Sequence, residues 1–287
     1  MICNKSFSRK NKSVKNTREF VWFKLWVVEG YSVRQLSQIS KHSKAKLYNI
    51  INYWLSSPPK INNNLLNCKH AIFDGTYLHR PNSIVVLMNA RTNTLVSGKF
   101  GIRENSALQL RSFFQPIKNI GFSPKSFTLD GNPQVIKVVR IMWPEIVIQR
   151  CLVHIQRQGL MWCRRFPKRI DAKHLRKLFR RVTYIKTVKG RDRFIFDVEF
   201  WEQRYGCHLN SKPERGKVFS DVKRARSMLL KAMPDMFHYL NDSGIPKTTN
   251  GLEGYFSRLK SNYRNHRGLK FRKRANYFKW FFVLKSK

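Results

Sequence analysis

Three short apolar segments, "HAIFDGTYL", "SIVVLMNAR" and "TLVSGKFGI", follow one another within residues 70–102, with "PNS" and "TNT" between them. Runs of this length, rich in β-branched and aromatic residues and broken by turn formers, read as strands of a meander. Residues 105–120 then change to helical spacing (Leu108, Leu110, Phe113, Phe114, Ile117). "SFTLDGN" reads as a buried strand, "PQVIKVVRIMW" as a helix and "EIVIQRC" as another strand. An antiparallel meander followed by alternating helix and strand predicts an α/β fold, a mixed sheet flanked by helices. From about 155 to 245 the pattern is helical and basic, interrupted at "FPKR" and "CHLNSKPERGK".

Residues 17–55 predict three helices. The first carries Phe20, Phe23, Trp26 and Val27 on one face. Ser32 can cap a short second helix with Val33, Leu36 and Ile39 inward, and Ser43 can cap a third that buries Leu47, Ile50, Ile51 and Trp54. Lys41 and His42 fall in the turn between them. The outer face of the third helix shows Lys44, Lys46, Tyr48, Asn49 and Asn52. A short helix, a tight turn and a basic helix form the layout of a helix-turn-helix, although a plain three-helix bundle has the same pattern. "SSPPKINNN" ends the third helix at Pro-Pro and reads as a linker over 56–67.

Charge narrows the partners. Lys and Arg number 57 against 16 Asp and Glu, a net +41. A compact chain so charged repels itself, and a polyanion is the natural neutralising partner. The excess is spread along the chain: residues 150–191 hold 14 Lys/Arg with Asp171 as their one acid, and residues 247–287 hold 12 with Glu253. Five cysteines, widely scattered and without a Cys-x-x-Cys pair, argue for a reducing compartment rather than a disulfide framework. No apolar run approaches the roughly 20 residues of a membrane span. The N-terminus lacks the apolar stretch of a signal peptide, so the cytoplasm is expected.

In a chain so poor in acids, the placement of three of them is informative. Asp74 ends an apolar run in "AIFDG" and Asp130 does so in "FTLDGN", each followed by a glycine that lets the backbone turn sharply. Taken singly, each is a turn signature. Taken together, they converge on one sheet edge. Glu253, three residues after Asn250, fits a helix-capping box as readily as a functional site. Beside the two aspartates it becomes a third hard-oxygen ligand. Three crowded carboxylates call for a divalent cation, and two Mg²⁺ (or Mn²⁺) ions held by such a set carry out phosphodiester chemistry. Cys151 and His154 form a Cys-x-x-His pair, either half of a zinc site or a local support for the active site. A zinc site needs four ligands, so Cys163 or His174 would have to help.

"FDGTYL", "LDGNPQVIKVV", "IQRCLVHIQR" and "TTNGLEGYFSRLK…NHRGL", in this order, resemble the DDE transposases of bacterial insertion sequences in the Mutator-like superfamily. The resemblance runs from about residue 17 to the end. It implies an RNase H-like catalytic core with Asp74, Asp130 and Glu253 as the metal-binding triad, interrupted by a helical insertion. The expected organisation is a basic N-terminal remnant (1–16), a helix-turn-helix domain (17–55), the linker (56–67), the first part of the core (68–155), the insertion (156–245), a core helix carrying the Glu (246–268) and a basic tail (269–287). Such a protein cleaves DNA at the element's terminal inverted repeats and joins the released ends to target DNA, as a homodimer or higher oligomer in a synaptic complex. Lys44, Lys46, Asn49 and Asn52 are the expected readers of DNA sequence, and Lys260, Arg264 and Arg267 the expected phosphate holders. Relatives often begin with a zinc ribbon. "CNKSFSRKNKS" resembles the tail of one, but Cys3 alone cannot close it. Two alternatives remain: a catalytically idle, transposase-derived DNA-binding protein, and an RNase H-like nuclease without strand transfer.

Overall fold

The computed structural model describes residues 12–59, 67–79, 82–207, 209 and 217–285. The N-terminal remnant as far as residue 11, most of the linker and much of "CHLNSKPERGK" lie outside these. The chain divides into two compact units: 12–59 with 98–101 and 254–285, and 67–97 with 102–253.

The first unit starts with α1 (Lys12–Val28), α2 (Val33–Ser40) and α3 (Lys44–Leu55). Ser32 caps α2 in a reciprocal box with Gln35, Ser43 caps α3 at Lys46, and Lys41 turns the chain in the left-handed region at φ 57°. Phe23, Val27, Leu36 and Leu47 are fully buried. Ile39, expected inward, is 56% exposed near the end of the eight-residue α2, where Leu36 is the buried residue.

The expected C-terminal tail is part of this unit. It forms α11 (Phe271–Lys285), which buries Tyr277, Phe278, Phe281 and Phe282. Asn276 Nδ2 donates to Leu55 O at 2.8 Å and Trp280 Nε1 to Trp54 O at 3.0 Å. The Trp280 ring meets Phe23 edge-on at 5.2 Å. The helix's lysines and arginines predict a basic tail over 269–287, but the aromatic spacing decides the outcome.

The second unit is built on a five-stranded mixed sheet in the order β3-β2-β1-β4-β5. The strands are β1 (His70–His79), β2 (Asn82–Asn89), β3 (Leu95–Ile102), β4 (Ser126–Leu129) and β5 (Val147–Arg150). β1 pairs antiparallel with β2 and parallel with β4, and β4 pairs parallel with β5. Helices α4 (Ala107–Asn119) and α5 (Pro133–Met142) make the crossovers that parallel pairing requires. Their apolar sides cover one sheet face, where Ala71, Phe73, Val85, Leu87, Phe127 and Leu129 meet Phe113, Phe114 and Val138. Leu108, grouped with the inward residues of α4 by spacing, is 79% exposed.

A second apolar core lies among α6 (Leu152–Trp162), α7 (Ile170–Arg181), α8 (Val188–Trp201) and α9 (Lys217–Ala232), centred on Phe179, Phe194 and Leu229. This helical segment is tied back to the sheet: Gln149 Nε2 donates to Met236 O at 2.7 Å, and Thr128 Oγ1 to Pro246 O at 2.8 Å. Among the described residues, no helix is long and apolar enough to cross a membrane.

Candidate active site

Register brings the two aspartates level. His70 pairs with Ser126 across β1 and β4, an offset of 56 residues, and the same offset separates Asp74 from Asp130. β4 ends at Leu129, so beyond it β1 runs on with β2 alone and Asp74 stands at an open edge. Alternation puts Ile72, Asp74, Thr128 and Asp130 on the face opposite the α4–α5 core. Continuing the β4–β5 register by one residue brings Cys151 into the same row, and its N–H donates to Leu129 O at 2.7 Å.

The glycines after the aspartates have a use that the sequence did not reveal. Gly75 is no turn: it sits inside β1, paired with Val85. A Cβ on it would lie 2.2 Å from Oε1 of Glu104, whose carboxylate occupies that space. Gly131, at φ +107°, likewise leaves room for the Arg150 guanidinium, whose Nη2 would lie 1.8 Å from an added Cβ. Each glycine thus admits a charged side chain beside its aspartate. Gly75→Ala is expected to destabilise the fold by about 1–3 kcal/mol through displacement of Glu104, measurable as a lower urea midpoint. Wild-type stability in that variant would contradict the packing described.

Burial, reinforced by the charge of Asp130, pushes the Asp74 carboxyl up to about 6, against opposing contributions from His154, the Gly75 N–H and the Thr249 hydroxyl. Glu104 is pushed up to about 7, first by burial and then by Asp130 and Asp74, while Ser83 works the other way. Both are only 8% exposed. Arg150 is also buried, its Nε has no hydrogen-bond partner among the described residues, and Asp130 is the largest of the charges that offset its burial. Neither Glu104 nor Arg150 stood out in the sequence, although an acid so soon after a strand, in a chain this poor in acids, was an available signal.

Thr249 links the start of α10 (Asn250–Arg264) to the edge. Fully buried, its hydroxyl lies 3.3 Å from Asp74 Oδ2 and 3.5 Å from both Cys151 Sγ and His154 Nδ1, and its N–H donates to Cys151 Sγ at 3.3 Å. Burial pushes the Cys151 thiol up, but its hydrogen bond to His154 and the charge there outweigh burial and lower it. The same hydrogen bond raises His154. The pair therefore favours thiolate and imidazolium beside Asp74. The helpers that a zinc site would need lie elsewhere: Cys163 is in the helical core, pushed up to about 12 by burial, and His174 Nδ1 is 3.0 Å from Tyr205 Oη.

Glu253 follows Thr249 by one helical turn, yet its Oε1 is 3.0 Å from Arg157 Nη1. It is absent from the charges that act on Asp74 and Glu104. Asn250 is the first residue of the helix and Glu253 lies in its first turn. Among the described residues, no three His, Cys, Asp or Glu side chains are grouped so as to hold a metal ion. In kind the donors suit a hard divalent cation: Asp74 and Glu104 are carboxylates raised first by burial and further by neighbouring negative charge, with Asp130 acting on both.

The expected DNA-binding residues all lie in the first unit. Lys44, Asn49 and Asn52 are exposed on α3, and Lys46 keeps 43% side-chain exposure beside Glu19 at 3.6 Å. Arg264 and Arg267 are exposed and Lys260 is half-buried. Asn52 Oδ1 accepts a hydrogen bond from Lys273 Nζ at 2.7 Å, a contact between α3 and the C-terminal helix. No protein-family model matches the chain, and no curated protein matches it.

Proposed function

We propose that the chain is a DDE-type transposase that cleaves DNA at the ends of an insertion sequence and transfers the strands to target DNA. The observation that carries this reading is the level pair Asp74 and Asp130 at an open sheet edge, in a chain of net charge +41. An acidic edge surrounded by so much positive charge suits a phosphodiester held by basic groups and attacked beside carboxylates. The strand order and the helical segment before Glu253 support an RNase H-like core with an insertion, and the capped α2–turn–α3 unit supports a helix-turn-helix. Asp74 and Asp130 would hold Mg²⁺ or Mn²⁺. When bound, such an ion supplies an activated attacking oxygen and stabilisation of the leaving one.

The chain's own residues do the rest. Asp130 is fixed by the Asn132 N–H at 2.9 Å and Asp74 by the Gly75 N–H at 2.8 Å, so both carboxylates are oriented before substrate arrives. Thr249 holds the start of α10 against Asp74 and sets where Glu253 begins its reach. Arg150 offers positive charge next to Asp130. The resemblance assigns Glu253 to the same centre, and to act there it exchanges Arg157 for the DNA-bound site.

The pairing of Glu253 with Arg157 favours a second reading, DNA binding without catalysis. Glu253→Gln separates the two. Under the transposase reading it lowers Mg²⁺-dependent cleavage of an inverted-repeat duplex by about a hundredfold or more while DNA affinity is kept. Near-normal cleavage by this variant would remove Glu253 from the site, and absence of cleavage by the wild type would favour the binding protein.

A further inference from the structure

The first unit contains a cleft that the carboxylate edge does not explain. Its larger lobe, about 560 Å³, has Arg34 and Lys44 from α2 and α3 on one side and Asn265, just past α10, on the other. A smaller lobe of about 270 Å³ is lined by Asn52 together with Lys270 and Lys273. Tyr48 forms part of both lobes. No Asp or Glu lines either one, so four cations gather there without an acid to offset them.

Shape and chemistry narrow the occupant. A helix that reads duplex DNA presents a convex face to the major groove. This surface is concave, and between its cationic walls stands a tyrosine that is 54% exposed and whose ring meets no other aromatic ring among the described residues. Grooves that track a nucleic-acid backbone with Lys and Arg and stack bases on exposed aromatic rings are the mark of single-strand binding. His266, which also lines the larger lobe, contributes no positive charge near neutral pH, since burial pushes its imidazole down to about 4 although its ring nitrogen lies 2.9 Å from Trp26 O.

We propose that this cleft takes a single nucleic-acid strand, with an unpaired base on Tyr48 and the flanking phosphates on Arg34, Lys44, Lys270 and Lys273. The inference rests on the reading that the chain binds DNA, and adds that both ends of the chain build one site for unpaired nucleotides.

The test compares the affinity of the full chain for a blunt duplex with that for the same duplex carrying a short single-stranded 3′ extension. The wild type is expected to prefer the extension by about tenfold, the worth of one stacked base. Tyr48→Ala should bring the ratio to about one, and Tyr48→Phe, which keeps the ring, should retain the preference. Lys270→Ala should weaken binding of the extended duplex. Tyr48 is exposed, so its replacement leaves the core intact. Binding of the blunt duplex with no preference for the extension, or a preference that survives Tyr48→Ala, overturns the inference and leaves DNA binding standing. Failure to bind either duplex overturns both.

Discussion

Replacing Asp74 by Asn is expected to stabilise the cation-free protein at about pH 8 by on the order of 2 kcal/mol and to reduce strand cleavage about a thousandfold. The two effects have one cause. Asp74 is buried beside Asp130, and its carboxyl is pushed up from 3.8 to about 6. A raised carboxyl binds more protons in the folded than in the unfolded chain, so folding stability falls as pH rises through the window from about 4 to about 6. Glu104 extends that window to about 7. Asn carries no charge, so the stabilisation should be fully present at about pH 8 and mostly lost by about pH 4, where the folded-state aspartate is protonated and the unfolded-state one about half so. Thermal unfolding at the two pH values, without divalent cations, measures it. Activity should fall because the charge that destabilises the cation-free edge is the one that would hold Mg²⁺ in the proposed reaction. Equal stability of variant and wild type at both pH values would mean that Asp74 is not under strain from its neighbours.

Salt should weaken DNA binding about ten-thousandfold between about 50 mM and about 200 mM, given contact with about eight phosphates. The expected slope of log K against log salt is about −7, from about 0.9 released counterion per phosphate. The source is the net charge of +41, distributed over both units. Fluorescence anisotropy with a labelled duplex over a salt series reads the slope directly. A slope shallower than about −3 would mean that most of this charge is not used on DNA.

The elements of the fold were legible wherever periodicity and caps agreed. Ser32 and Ser43 cap the helices they were expected to cap, and the meander followed by alternating helix and strand gives the mixed sheet. Legibility failed where a residue's role depends on a partner distant in sequence. "DG" reads as a turn, but Gly75 is a mid-strand opening for Glu104, and a sequence cannot show which distant carboxylate will enter it. The separation of Asp74 from Asp130 was readable, whereas its equality with the β1–β4 register depends on the crossover through α4. A threonine before a helix reads as a cap, whereas the Thr249 hydroxyl lies beside Asp74, Cys151 and His154. The lysines and arginines of the C-terminal helix make it read as a basic tail, although Tyr277, Phe278, Phe281 and Phe282 give it a buried apolar face.

If the Asp74–Asp130 edge carries phosphodiester chemistry, as proposed, its loss should abolish strand joining. The most direct measurement is a strand-transfer assay in Mg²⁺ with a pre-cut 3′-hydroxyl end and a supercoiled target, comparing the wild type with Asp130→Asn. Joined products are expected from the wild type and none from Asp130→Asn, with both proteins binding the end equally well. Joining by Asp130→Asn at the wild-type rate, or binding without joining by the wild type, would contradict the proposed chemistry.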